Sequence, residues 1–131
     1  MGDVTFYHVK LFVGDSEGLA RFYREVFGLT EVRRYDLPEA TNPHLEIFLS
    51  VGPEGSEHQL VLMQYLNRPT PKIGESAVGF MVKDVDAVVA AALARGGACT
   101  RPAETLEEHK FRWAIIADPE GHSIEVMQFV S

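Results

Sequence analysis

Cysteine is almost absent from this chain: Cys99 is the only one in 131 residues. A single thiol closes no intrachain disulfide, so a core must hold the fold, and a reducing, cytoplasmic setting is expected. Basic residues are also few, 12 Lys and Arg against 19 Asp and Glu, which leaves a formal charge of −7. That balance excludes a general nucleic-acid binder, because phosphate backbones need basic patches. Long apolar runs are missing too. No stretch approaches the roughly 20 residues that span a bilayer, so no membrane partner is expected. The opening MGDVTFYHVKLFVGD carries neither a basic n-region nor a small-residue cleavage site, and is not expected to be a signal peptide. Neither a Gly-x-x-x-x-Gly-Lys-Ser/Thr phosphate loop nor a Gly-x-Ser-x-Gly elbow occurs.

What is present is a repeat. GPEGSEHQLVLMQY ends at Tyr65 and DPEGHSIEVMQF ends at Phe129, each running from a Pro-Glu-Gly turn to Met-Gln-aromatic. The likeness extends upstream, where HVKLFVGDSEGLARFYREVFGL matches AVGFMVKDVDAVVAAALARGGA with Asp15 opposite Asp84. Before each aspartate the apolar residues alternate, as in a strand. After it they recur at helical spacing: Leu19, Phe22, Tyr23 and Val26 in the first copy, and Val85, Val88, Val89, Ala92 and Leu93 in the second. Asp15 or Ser16, and Asp84, are suited to cap the helix starts, and Gly28 and Gly96 to end them. LTEVRRY, LEIFLSV and QLVLMQY then read as strands, as do ACTRP, FRWAIIA and SIEVMQF.

The chain therefore predicts one α+β domain over residues 1–131, built of two βαβββ modules. The modules are 4–66 and 75–130, joined by the Pro-rich linker 67–74. With 46% hydrophobic residues and 24% charged, the composition supports a real core. Each curved mixed sheet has an inner face to cover, so the modules are expected to pair around a barrel-like cavity, across a homodimer.

With these motifs in place, the chain resembles the vicinal oxygen chelate superfamily: glyoxalase I, bleomycin-resistance proteins, methylmalonyl-CoA epimerase and extradiol dioxygenases. HVKLFVGD…FYREVFGL at 8–29, VGFMVKDVDAVVAAALARGG at 78–97 and DPEGHSIEVMQ at 118–128 carry the resemblance. In metal-dependent members four strand positions supply the ligands, commonly two His and two Glu. The resemblance maps these positions onto His8, Val61, Ala77 and Glu125. Val61 and Ala77 cannot coordinate anything, so no cofactor is expected. A divalent metal on His8 and Glu125, with water or other side chains completing the shell, is the minor alternative; Gln59 shares the strand face of Val61, and Gln64 would serve if the register were shifted by one.

The same residues read without a metal give an acid–base pair, His8 and Glu125. Strand alternation adds a lining: Phe6, Lys10 and Phe12 beside His8, Met63 and Tyr65 beside Val61, and Met127 and Phe129 beside Glu125. Phe111 and Trp113 are placed to flank the mouth. Such a cavity is apolar and aromatic with few polar groups, as small-molecule sites are. The expected function is a glyoxalase-like protein for a small organic molecule, acting as a lyase or isomerase by proton transfer through His8 and Glu125. The alternative is a non-catalytic ligand-binding protein resembling the bleomycin-resistance branch. For each position a plainer reading stands beside this one: His8 as a hydrogen-bonded core residue, Glu125 as an exposed carboxylate, and Phe12 and Met127 as core packing.

Overall fold

The computed structural model describes residues 2–52 and 58–130. The chain divides into two compact units, Met1–Lys72 and Ile73–Ser131. In the first, strand β1 (His8–Phe12) leads into helix α1 (Ser16–Phe27), followed by β2 (Thr30–Leu37), β3 (His44–Ser50) and β4 (Gln59–Tyr65). The strands lie in the order β1-β4-β3-β2, with β1 parallel to β4 and the rest antiparallel. The second unit repeats this with β5 (Ala77–Met81), α2 (Val85–Ala94), β6 (Ala98–Leu106), β7 (Phe111–Ala117) and β8 (Ser123–Phe129), ordered β5-β8-β7-β6. The fold is thus α+β, and each unit is the βαβββ module. Each sheet is four-stranded and open, with two edge strands, rather than a closed barrel.

The local chemistry explains the helices. The Asp15 carboxylate accepts from the Gly18 N–H at 3.0 Å, and that of Asp84 from the Ala87 N–H at 3.1 Å. Each satisfies an orphan donor of a first turn. Leu19, Phe22, Tyr23 and Val26 are buried on one face of α1. At its end Gly28 turns left-handed, φ 73°, and its N–H donates to the Arg24 carbonyl. Helix α2 departs from the expected stripe: Val85 and Ala92 are buried, but Leu93 is 52% exposed. Its sequence, VDAVVAAALA, is apolar on nearly every face, so the sheet and not the pattern selects the side that packs.

The repeated glutamine acquires a role here. Gln64 Oε1 accepts from the Ser16 N–H at 2.9 Å, and Gln128 Oε1 from the Val85 N–H at 2.9 Å. In both units the last strand thus ties down the first amide of the helix. Around each tether the core closes, on Ile47, Leu49, Leu60 and Leu62 in the first unit and Ile116, Ile124 and Val126 in the second.

Strand β6 runs further than ACTRP, reaching Leu106 with irregular register on both sides of Arg101. It is an edge strand, so the missing N–H of Pro102 costs little there. Glu107–His109 form a short 3₁₀ turn before β7. The turn expected at 53–55 lies outside the described residues. Its twin is described: Gly121 is left-handed (φ 101°) and donates to the Asp118 carbonyl, while the Asp118 carboxylate accepts from the Glu120 N–H and from the N–H and Nδ1 of buried His122.

Candidate functional site

Each sheet buries one face against its helix and turns the other away. In the first unit the register pairs His8 with Gln59, Lys10 with Val61 and Phe12 with Met63, so these six share the face opposite α1. Across β4 the same face takes Ser50, Phe48, Glu46 and His44 from β3. Gln64 stands on the helix side and is engaged with Ser16, which removes it as a stand-in donor.

This face is aromatic, with charge at its centre. Phe48 meets His8 and Tyr35 edge-on at 6.1 and 5.7 Å between ring centroids, and Arg33 lies over it at 5.4 Å. Tyr65 stacks on Phe12 at 5.7 Å and carries Arg68 over its ring at 4.1 Å. Between these groups Lys10 Nζ sits 2.5 Å from Glu46 Oε2, and His44 Nε2 lies 3.7 Å from Glu46 Oε1. Glu46 is 6% exposed, so the ion pair is what makes its burial tolerable. Since β4 separates β1 from β3, the pair crosses over β4 beside Val61 and Met63. The first unit therefore does hold a carboxylate, one strand away from where its twin carries it. Apart from Glu46 Oε2, which meets Lys10 as an ion pair, two polar atoms here, His8 Nδ1 and Gln59 Oε1, are buried without a hydrogen-bond partner among the described residues.

In the second unit Glu125 pairs with Gly79 on β5 and Ile115 on β7, and Met127 with Met81 and Trp113. These side chains share the face opposite α2, while Ile124, Val126 and Gln128 point toward the helix. Glu125 is half-buried, in a setting of Gly79, Ile115 and Met127. A Cβ on Gly79 would meet Met127 Cε at 2.9 Å and lie 4.0 Å from Glu125 Oε1, so the glycine leaves room for both. Arg101 lies over the Trp113 ring at 4.4 Å, and Phe111 meets Phe129 edge-on at 5.8 Å. Trp113 Nε1 is buried with no partner among the described residues.

Lys10, Met63 and Tyr65 thus share the face of His8, and Phe111, Trp113 and Met127 that of Glu125. Phe6 does not join them as a strand residue. It precedes β1 and is 74% exposed, so strand alternation assigns it no side. His44 opens β3 and shares the inner face of its sheet. Glu46 went unread because HLEIFLS alternates as a half-solvated strand does; its partner comes from β1. Among the described residues no three His, Cys, Asp or Glu are grouped to hold an ion.

Comparison with known proteins places these faces in a family context. The family model described as Glyoxalase/Bleomycin resistance protein/Dioxygenase superfamily matches residues 5–126. A lactoylglutathione lyase of Arabidopsis thaliana is 32% identical over 94% of this chain, and one of Haemophilus influenzae 26% over 92%. The chain spans 44% of the Arabidopsis protein and 90% of the Haemophilus one. Among solved structures, the trypanothione-dependent glyoxalase I of Leishmania major matches with a TM-score of 0.77 at 26% identity, over 96% of this chain and 87% of that one. A glyoxalase family protein from Bacillus cereus reaches 0.83 over 100% of this chain and 99% of that one, at 18% identity, a likeness of fold alone. These relatives correct the expectation that no cofactor is needed: glyoxalase I enzymes are metal-dependent members of the superfamily, and a divalent ion is implied for their kind.

Proposed function

The chain belongs to the glyoxalase/bleomycin resistance protein/dioxygenase superfamily, and on that premise we propose that it is a glyoxalase-like lyase or isomerase acting on a small organic substrate. The observation that carries this reading is Glu125, an acid set among Gly79, Ile115 and Met127 on the open face of its sheet. Burying part of a carboxylate beside hydrocarbon is costly for folding alone, and the twin strand does without it, holding Val61 instead.

The chemistry follows from what such groups do. A carboxylate with little competing solvent takes a proton from a carbon next to a carbonyl and returns it to the neighbouring carbon. His8 is the second polar group of the reaction, steadying the substrate oxygen through its ring nitrogen. Of the four positions that supply ligands in metal-dependent relatives, His8 and Glu125 retain donors here. A divalent ion, when bound, supplies Lewis-acid polarisation of a carbonyl. Phe6, Lys10, Met63 and Tyr65, with Phe111, Trp113 and Met127, are the proposed contacts for the body of the substrate, chiefly apolar with a cationic Lys10. We place the protein in the cytoplasm and take its working form to be a homodimer in which the open sheet faces are covered.

A second reading, binding without turnover, draws support from Val61 and Ala77, which withhold two ligands. The two are separated by assaying the purified protein, supplied with Zn²⁺ or Ni²⁺, for formation of S-lactoylglutathione, the compound that names its relatives. Turnover above the uncatalysed rate, lost in His8→Ala, is expected. Saturable binding of glutathione conjugates with no turnover would favour the second reading.

A further inference from the structure

The second unit carries two buried donors with nothing to receive them. Nε of Arg101 and Nε1 of Trp113 are buried and have no hydrogen-bond partner among the described residues. Both are N–H groups that cannot accept, so neither satisfies the other. They are neighbours: the guanidinium carbon of Arg101 stands 4.4 Å from the centre of the Trp113 ring. The outer end of the guanidinium is engaged, since Nη2 donates to Glu104 Oε1 at 2.9 Å. That bond and the indole beneath fix the group in one orientation before any ligand arrives. Two such donors are unfavourable to bury unless an oxygen binds between them. Strand pairing sets them beside Glu125. Arg101 is the Cα partner of Ile115, and Ile115 of Glu125, so the three share one row and one face across β6, β7 and β8. Trp113 lies opposite Met127 and diagonal to Glu125 on that face. Diagonal neighbours in an antiparallel pair are about 7–8 Å apart, within reach of an aromatic and a long side chain. The register also breaks on both sides of Arg101, the kind of irregularity that re-aims a side chain.

We infer that the Arg101 Nε–H and Trp113 Nε1–H groups form an oxyanion hole that receives the carbonyl oxygen of an α-hydroxycarbonyl substrate. The inference rests on the proposed function, because it needs Glu125 to take a proton from carbon. The Glu125 carboxylate takes that proton from the hydroxyl-bearing carbon. The C–H electron pair becomes the C=C bond of an enolate, and the carbonyl π pair moves onto oxygen. The oxygen is now anionic, and the two N–H groups bond it more strongly than they bond the neutral carbonyl. Glu125 then returns the proton to the former carbonyl carbon, while the hydroxyl proton of the first carbon passes to the oxygen in the hole. Carbonyl and hydroxyl have exchanged places, with no oxidant or reductant consumed. The hydroxyl oxygen is the one left to His8. Val61 and Ala77 hold hydrocarbon at two of the four family ligand positions, and this donor pair offers the developing charge a different kind of stabilisation.

The chain has a single tryptophan, so its one indole N–H resonance belongs to Trp113 and reports on the hole directly. Nitrogen-15-labelled wild type is titrated with 4-nitrophenolate, a planar anion whose charge sits on a conjugated oxygen as an enolate's does. The control is 4-nitroanisole, the same ring with that oxygen methylated and uncharged. The phenolate is expected to move the indole resonance downfield to saturation, and the anisole to leave it in place. Arg101→Met should weaken phenolate binding by about tenfold or more, the scale of a hydrogen bond to a charged group. In S-lactoylglutathione formation, Arg101→Met and Trp113→Phe should each lower kcat by about 10²–10³-fold, as for loss of one oxyanion-hole donor. KM should change little, because the bonds strengthen only as the charge develops. Melting curves accompany both variants, and the wild-type titration needs neither. An indole resonance that the phenolate leaves in place, or that the anisole moves as far, would overturn the oxyanion hole. Undiminished kcat in both variants would overturn it too, and would leave the proposed activity standing. Phenolate binding as described in a protein without turnover would count against the proposed function and leave the donor pair in place.

Discussion

At the residue scale the polar groups on the inner face of the first unit are not equivalent. Glu46 is buried and depends on Lys10, whereas Lys10 is about a third exposed and can turn to water. Removing the cation therefore leaves a buried charge, while neutralising the acid does not. Lys10→Met is expected to cost about 3 kcal/mol, the range for breaking a buried pair from one side. Glu46→Gln should cost about 1 kcal/mol, as an amide keeps a hydrogen-bonding contact. Denaturant melts of the two variants check the asymmetry, and equal losses would mean that the pair is effectively solvated. These residues also mark the limit of what a linear reading could reach. His8 and Glu125 stood out as polar interruptions of apolar strands. Glu46 did not, because its burial is decided by a lysine from a strand two places away in the sheet.

At the scale of elements the duplication made most of the architecture legible. Two strands ending in aspartate, two helices and two Met-Gln-aromatic strands define the module. What stayed hidden was the reason for the glutamine, which is a contact between the last strand and the helix start. Gln64→Ala and Gln128→Ala should each lower stability by about 1 kcal/mol, the usual loss for an uncapped helix start, and should expose the Ser16 and Val85 amides to faster hydrogen exchange. The buried side of α2 was not legible either, since its sequence is apolar all round. A second tie is electrostatic. Arg34 donates to Glu17 in the first turn of α1 at 2.6 and 3.0 Å, and Arg112 to Asp86 in that of α2 at 2.8 and 3.0 Å. These hydrogen bonds hold the carboxyls of Glu17 and Asp86 below their ordinary pKa values. A carboxyl lowered in the native state stabilises it above the unfolded pKa. That contribution is expected to be complete above about pH 5 and to fade as pH falls through the lowered values. Both pairs are exposed, so it is modest and screened by salt. The melting temperature of the wild type should exceed that of Arg34→Gln/Arg112→Gln at pH 6, and the gap should close toward pH 3.

At the scale of the whole molecule, two copies of one module have kept the same strand order and helix tethers and diverged on their inner faces. The fold needs the tethers, and so repeats them. At the place of Glu125 the other unit holds Val61, fully buried hydrocarbon. Met81 and Phe129 remain exposed on the inner face of the second sheet, and light scattering at micromolar concentration is expected to give twice the chain mass; a monomer mass would count against the proposed dimer. Whether Glu125 serves a site or the fold is tested most directly by kcat/KM for S-lactoylglutathione formation by Glu125→Gln, measured beside its melting temperature. The predicted result is a loss of about 10²–10⁴-fold, as for removal of a proton-transfer group, with a melting temperature unchanged or raised, since a half-buried carboxylate among apolar groups gives the fold little. Undiminished turnover in a variant that melts lower would contradict it, and would make Glu125 a structural residue.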